Sequence, residues 1–342
     1  NPDRWPLART AERIAEGKPH VVLFLGDFFY REKPCPADQW QWCGSTPEPI
    51  EGPAPDFFKF SDTDYSWLAD VFIPMRPLLA AAPLVVVRGN HEACSRGGNG
   101  YFLFFDPRRD TANVCAPSVP GGPVPVNSIT PSWSADLKIR PDWRLRLAIV
   151  DSASPEKRGD YDVVSYGINW AEAYRPFFAQ AAGFTAPQAD VESWLRTHRP
   201  VFGIAHETAP DLCLGAASCT LWTSVPNQSA AYGLLDNYSL ILSSHIHLAQ
   251  STQIPGQPPQ LVLGNGGTHL EAEVDYSLPL AGGPLTGVKD LPAWVTQPYP
   301  TATSSWTDVR FGYAMLHPGK RRGEWRWQHM TPEGSVFAQC EQ

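Results

Sequence analysis

Apolar residues fall into short runs separated by Pro- and Gly-rich stretches, and their period changes along the chain. Val21-Val22-Leu23-Phe24-Leu25 is continuous rather than alternating, so it reads as a strand buried on both faces, and Val85-Val86-Val87 reads the same way. Ahead of the first run, Trp5, Leu7, Ala8, Ala11, Ile14 and Ala15 have helical spacing, with Gly17 as the stop. Tyr65 to Ala80 is again helical in period, kinked or ended by Pro74 and Pro77. Trp133 to Val150 alternates as a hairpin turning at Pro141-Asp142. Residues 166–198 read as helix in two pieces, and strands follow at Val201–Ala205, Leu234–Ser243 and Leu261–Leu263. Tyr313–Leu316, Glu324–His329 and Val336–Gln339 predict an antiparallel β segment over about 310–342. Residues 33–64 and 106–132 are loop insertions by composition.

Helices and strands alternate early and strands dominate late. That order predicts an α/β fold of two stacked mixed β-sheets flanked by helices, a single domain over 1–342. A helix leading into a buried strand crosses over from an earlier one. The chain therefore reads as starting inside its domain, without its first strand.

The strands end in residues of one chemical kind. Val85–Val87 runs into Arg88-Gly89-Asn90-His91-Glu92, where Gly89 permits a tight turn. Open α/β sheets bind ligands outside the carboxyl ends of their strands. The other runs end at Gly26-Asp27, His206-Glu207 and His245-Ile246-His247, so four strand ends offer Asp27, Asn90, His206 and the His245/His247 pair. Imidazole and carboxylate suit zinc, iron or manganese, and the absence of a thiolate at these strand ends argues against a soft-metal site. Asp27 can bridge two cations, and ions about 3.5–4 Å apart clamp phosphorus for in-line attack. Singly, a Gly-Asp is a turn and a strand-end His a core residue; in this order, all after apolar runs, they point to one centre.

Charge and cysteine content narrow the partners. The net charge is −8, with no basic block longer than Lys320-Arg321-Arg322, which excludes nucleic-acid binding by backbone neutralisation. No apolar stretch is long enough to span a membrane. Seven cysteines, several in short-spaced pairs, fit an oxidising compartment, with Cys35–Cys43, Cys94–Cys115 and Cys213–Cys219 as the expected disulfides and Cys340 left over.

The set Gly26-Asp27, Gly89-Asn90-His91-Glu92, His206 and His245-Ile246-His247 resembles that of the calcineurin-like metallophosphoesterases. Gly26-Asp27-Phe28-Phe29-Tyr30 looks more closely like the Gly-Asp-x-x-Tyr block of the purple acid phosphatase branch. The resemblance implies two metal ions, Fe(III) with Zn, Fe or Mn. Asp27 would bridge them, Asn90, His206 and His245 would complete one site, and Tyr30 and His247 would belong to the other. His91 would be the general acid, oriented by Glu92, and a metal-bound hydroxide the nucleophile. The implied activity is hydrolysis of small-molecule phosphate esters, monoesters ahead of diesters, by a secreted or periplasmic enzyme.

The departures also matter. No early Asp-x-His or Asp-x-Gly precedes Asp27, and the last block has Ser244 where the family usually has Gly. Truncation accounts for the first; the rival reading is a non-catalytic extracellular binding or assembly protein that keeps the fold. His269, Arg88, Arg96 and Asp151 are weaker candidates. Ser152 and Ser154 lack the Gly-x-Ser-x-Gly elbow of a serine hydrolase.

Overall fold

The structure, a computed structural model, describes residues 6–27, 29–30, 67–93, 99–108, 114, 129–153, 163–202, 230–267, 270 and 304–341. Helix α1 (Leu7–Glu16) leads into β1 (Val22–Phe24), as the spacing predicts. One π-helical turn, Leu68–Phe72, continues as α2 (Ile73–Ala81). Because the helix runs on from Leu68–Phe72, Pro74 and Pro77 both lie inside it and donate no N–H to the preceding turn, and the π-helical turn falls just ahead of Pro74. Strand β2 (Leu84–Val86), a 3₁₀ turn at Asn90–Glu92 and the short α3 (Gly100–Phe104) follow. β1 and β2 pair in parallel, with Val22 opposite Leu84.

The predicted hairpin is β3 (Trp133–Arg140) and β4 (Trp143–Val150). After α4 (Val163–Gly183) come β5 (Val191–Thr197), β6 (Leu240–Ser243), β7 (Ala249–Gln253), β8 (Gln260–Leu263) and β9 (Ser304–Asp308). Strands β3 to β9 form one mixed sheet in the order β3-β4-β5-β6-β8-β7-β9. The tail folds as predicted into an antiparallel sheet of β10 (Tyr313–Pro318), β11 (Trp325–Met330) and β12 (Val336–Glu341).

Three apolar clusters stack these elements. Leu145, Leu147, Trp194 and Leu240 of the large sheet meet Leu25, Val87, Trp325 and Trp327, so β1–β2 and β10–β12 form a second sheet layer upon the first. Tyr174 and Phe178 of α4 cover the outer face of the large sheet at Val150, Leu195 and Ile241. Ala11, Met75 and Phe102 of α1, α2 and α3 cover β1–β2 at Val22 and Val86. The result is the predicted arrangement of two stacked sheets between helices.

Three expectations need correction, the shortest being that the strand expected over Leu234–Ser243 begins only at Leu240, after turns. The second helical piece expected within 166–198 is the strand β5. Glu192 and Arg196 sit four apart, like an exposed helical ion pair, but both are buried and bonded across strands instead. Glu192 accepts the indole N–H groups of Trp143, Trp194 and Trp325, and Arg196 donates to the carbonyls of Phe24 and Val85. The strand expected at Val201–Ala205 begins with Val201 and Phe202 in a buried bend; 203–205 lie outside the described residues. β7 and β9 have polar, weakly alternating sequences and were not predicted.

A cavity of about 690 Å³ runs between β1 and β10, lined by Val21 to Leu25 on one side and Tyr313 to Pro318 on the other. Among the described residues β1 pairs only with β2, and β10 only with β11. Asp27, Tyr30, His245 and His247 line the cavity as well.

Candidate metal centre

The centre begins where the loops after β1 and β2 touch. Gly26 has φ 91° and Asp27 φ 56°, so the chain turns in the left-handed region straight after β1. A Cβ on Gly26 would lie 2.6 Å from the Gly89 nitrogen, and one on Gly89 would lie 2.1 Å from the Asp27 nitrogen. Only glycine fits either position. The buried Glu92 carboxylate fastens the contact by accepting the backbone N–H groups of Asp27 (2.8 Å), Phe29 (2.9 Å) and Gly89 (2.9 Å). In return the His91 N–H donates to Asp27 Oδ1 at 2.9 Å. Burial and the Asp27 charge push the Glu92 carboxyl up to about 7, against the pull of those amides. Glu92 was expected to orient His91; the bonds it makes here orient the loop that carries Asp27.

Four side chains then converge. His198 Nε2 lies 3.1 Å from Asp27 Oδ2, 3.0 Å from Asn90 Oδ1 and 3.2 Å from His245 Nδ1. His245 Nδ1 is 3.7 Å from Asp27 Oδ2. One donor atom from each of Asp27, His198 and His245 lies within 4.8 Å of the others. The arrangement fits a cation. His198 Nδ1 faces the Leu25 carbonyl at 2.9 Å, and a carbonyl only accepts, so Nδ1 donates there and Nε2 is the nitrogen turned toward Asp27 and Asn90. Burial raises the Asp27 carboxyl, but the facing His198, His245 and His91 override it and hold the group well below the usual range. Burial, then the charge of Arg199, holds His245 well below an ordinary imidazole. The donors gathered here are a carboxylate, an amide oxygen and two imidazoles, a set that suits a borderline or hard cation.

A second pair lies beside the first group. The Tyr30 hydroxyl is 3.0 Å from His247 Nε2, and the Tyr30 ring packs on the His91 ring with centroids 3.9 Å apart. Asp27 therefore stands with His198, Asn90 and His245, while Tyr30, His247 and His91 share a separate cluster. Ser244 has its own duty: its hydroxyl donates to the Leu25 carbonyl at 2.6 Å, tying the His245 loop to the end of β1.

Of the predicted ligands, Asp27, Tyr30, Asn90, His245 and His247 are brought together, and His206 lies outside the described residues. His198 was missed. It ends a strand like the others, but the strand was read as helix, which hid the one available signal. Arg88 is buried rather than surface-exposed, and its Nε donates to Asp151 at 2.7 Å. Arg96, Ser154, His269 and the three expected cysteine pairs lie outside the described residues, and Cys340 is a free thiol.

An α/β sandwich with nitrogen and oxygen donors gathered at the carboxyl ends of its strands is a metallophosphoesterase-type fold. A family model, calcineurin-like phosphoesterase, matches residues 3–249, and the chain belongs to that family. Among solved structures, purple acid phosphatase PPD1 from yellow lupin (Lupinus luteus) seeds is similar with a TM-score of 0.52 at 12% identity, over 98% of this chain and 48% of that one. This chain thus spans about half the length of the lupin protein. GAP50, the anchor in the inner membrane complex of Plasmodium, is similar with a TM-score of 0.52 at 8% identity, over 98% and 83% of the two chains. PhoD is similar with a TM-score of 0.51 at 11% identity, over 97% and 65%. At these identities the likeness is one of fold. No curated sequence matches the chain.

Proposed function

We propose that the chain is a metal-dependent phosphoesterase that hydrolyses small-molecule phosphate esters, monoesters ahead of diesters, in a secreted or periplasmic setting. The observation that carries this reading is the inward-facing set of Asp27, Asn90, His198 and His245 at the ends of separate strands. Asp27, Asn90, His198 and His245 would hold one cation, and Tyr30 and His247 a second, with Asp27 shared and His206 as a further candidate. A phenolate favours Fe(III) in the second position, with Zn, Fe or Mn in the first. The pair would supply charge neutralisation and an activated water. The chain's own residues do the rest. His91, held by its backbone to Asp27 and by its ring to Tyr30, is placed to give a proton to the leaving oxygen as the P–O bond breaks. Glu92 keeps Asp27 in its left-handed turn.

The test is metal content and a visible spectrum on the native protein, with phosphate release from 4-nitrophenyl phosphate and bis(4-nitrophenyl) phosphate. Two ions per chain, a phenolate-to-iron band and faster monoester turnover are expected. Two ions without the band would remove Tyr30 as a ligand. One observation favours the second reading, a binding protein without catalysis: among the described residues the metal cluster contains one carboxylate, Asp27, and GAP50 is described as an anchor. Protein without metal or phosphate release would decide for it.

A further inference from the structure

We propose that Arg196 is a positioning residue for the metal centre: its guanidinium sets the height at which β1 and β2 present Asp27 and Asn90 to His198 at the end of β5. The inference rests on the metal-dependent reading of the same site. Arg196 and His198 stand two apart, so both side chains leave one face of the large sheet, toward the second layer. Arg196 Nη2 donates to the Phe24 carbonyl of β1 at 2.9 Å and to the Val85 carbonyl of β2 at 3.1 Å. His198 Nδ1 takes the next carbonyl of the first strand, that of Leu25. Arg196 thus grips both strands of the pair, three residues before Asp27 and five before Asn90.

Stability does not account for this fork. Arg196 is 0% exposed, and among the described residues no carboxylate pairs with it and its Nε and Nη1 have no hydrogen-bond partner. An unmatched charge is costly to bury, and apolar side chains of similar volume serve a fold as well or better. Leu25 and Val87 already join Trp194 and Leu240 across the layers. Such apolar contacts are non-directional, so they hold the layers together without fixing how one slides along the other. Bonds aimed at single carbonyls do fix it. The centre leaves little slack, because His198 Nε2 lies 3.1 Å from Asp27 Oδ2 and 3.0 Å from Asn90 Oδ1, on three different strand ends. A cation tolerates errors of only about 0.2 Å in its ligand distances. A positive charge near a cation site repels the ion, so the benefit of Arg196 is one of geometry.

Position and stability separate in one substitution. Mn(II) is titrated calorimetrically into wild type, Arg196→Met and Arg196→Lys, and the urea unfolding of each is followed without metal. Arg196→Met is expected to bind Mn(II) about tenfold more weakly, while its urea midpoint stays at or above that of wild type. Arg196→Lys keeps the charge but loses the planar fork, so its affinity should fall between the two, about threefold below wild type. Wild-type affinity in Arg196→Met would overturn the proposal. So would tighter binding, which the loss of a repelling charge alone would give, or a fall in urea midpoint alongside the fall in affinity. Should Arg196→Met fail to fold, Arg196→Lys decides, and wild-type affinity there would overturn the proposal. Each of these outcomes leaves the phosphoesterase reading intact, whereas no Mn(II) binding by wild type would overturn both.

Discussion

Glu92 meets three backbone N–H groups with one carboxylate, and the neighbouring His91 presents its ring to Tyr30. Two adjacent residues thus divide the work of holding and reacting. Glu92→Gln turns one acceptor oxygen into a donor facing donors. It is expected to cost about 3 kcal/mol in urea unfolding, by the price of buried unmet amides, and to weaken Mn(II) binding with it. His91→Ala is expected to spare the fold and lower kcat. The loss should be about 100-fold or more on an alkyl phosphate and much smaller on 4-nitrophenyl phosphate, whose leaving group needs no proton. Equal losses on both substrates would remove His91 as the acid. This turn was legible in the sequence because glycine, amide, imidazole and carboxylate stand consecutively after an apolar run. His198 was not: its neighbours Glu192 and Arg196 imitate an exposed helical face, and only cross-strand partners reveal that both are buried.

At the scale of elements, β5 and β11 are joined through Glu192, which accepts the indoles of Trp194 and Trp325 as well as that of Trp143 from β4. Trp143 and Trp194 also pack edge-on against Trp325. Glu192→Ala leaves three buried indole donors unmet and is expected to destabilise by several kcal/mol in the order of about 3–5, read by thermal or urea unfolding. His329 on β11 gives a pH dependence. It is buried against Trp306 and Phe337, and burial pushes it down to about 4 despite the nearby Asp308 charge. The folded chain therefore holds it neutral while the unfolded chain protonates near the ordinary value of about 6.5. Its contribution is complete above that pH and is lost as the pH falls toward 4, at up to about 1.4 kcal/mol per unit. Wild type should lose about 2–3 kcal/mol more than His329→Leu between pH 7.5 and 4.5 in urea midpoints. Parallel curves would show that His329 titrates normally. The tail strands were predictable from alternation, whereas Glu192 is joined to Trp143 and Trp325, far from it in sequence.

Across the whole molecule, the two sheet layers are tied by buried polar links, Arg196 to Phe24 and Val85 and Glu192 to Trp325 among them. Arg88 follows β2 in one layer and Asp151 follows β4 in the other; both are buried, and Asp151 also accepts the Thr130 N–H at 2.8 Å. Asp151→Ala would strand a buried guanidinium, with an expected cost of about 3–5 kcal/mol and loss of cooperative unfolding between the layers. Fold class and layering could be read from the order of runs because burying a strand on both faces demands covering layers. Sheet order could not. β7 enters between β8 and β9 with a polar sequence, Ala249 to Gln253, that carries no strand period.

The slot between β1 and β10 has a consequence for how the protein behaves in company. Val22 donates to Pro83 and Phe24 accepts from Val87, so the intervening Leu23 turns its peptide groups away from β2, toward the slot. Unpaired edges of this kind are templates for other strands. Among the described residues, the edges of β1 and β10 flank a trough of about 690 Å³, wide enough that one extended segment entering it would meet backbone on both sides and join their five strands into a continuous six-stranded sheet. Such a trough rewards strand exchange between molecules at high concentration, and it places the incoming segment's end beside Asp27 and His247. Solubility and access to the metal centre would then be governed by the same seam.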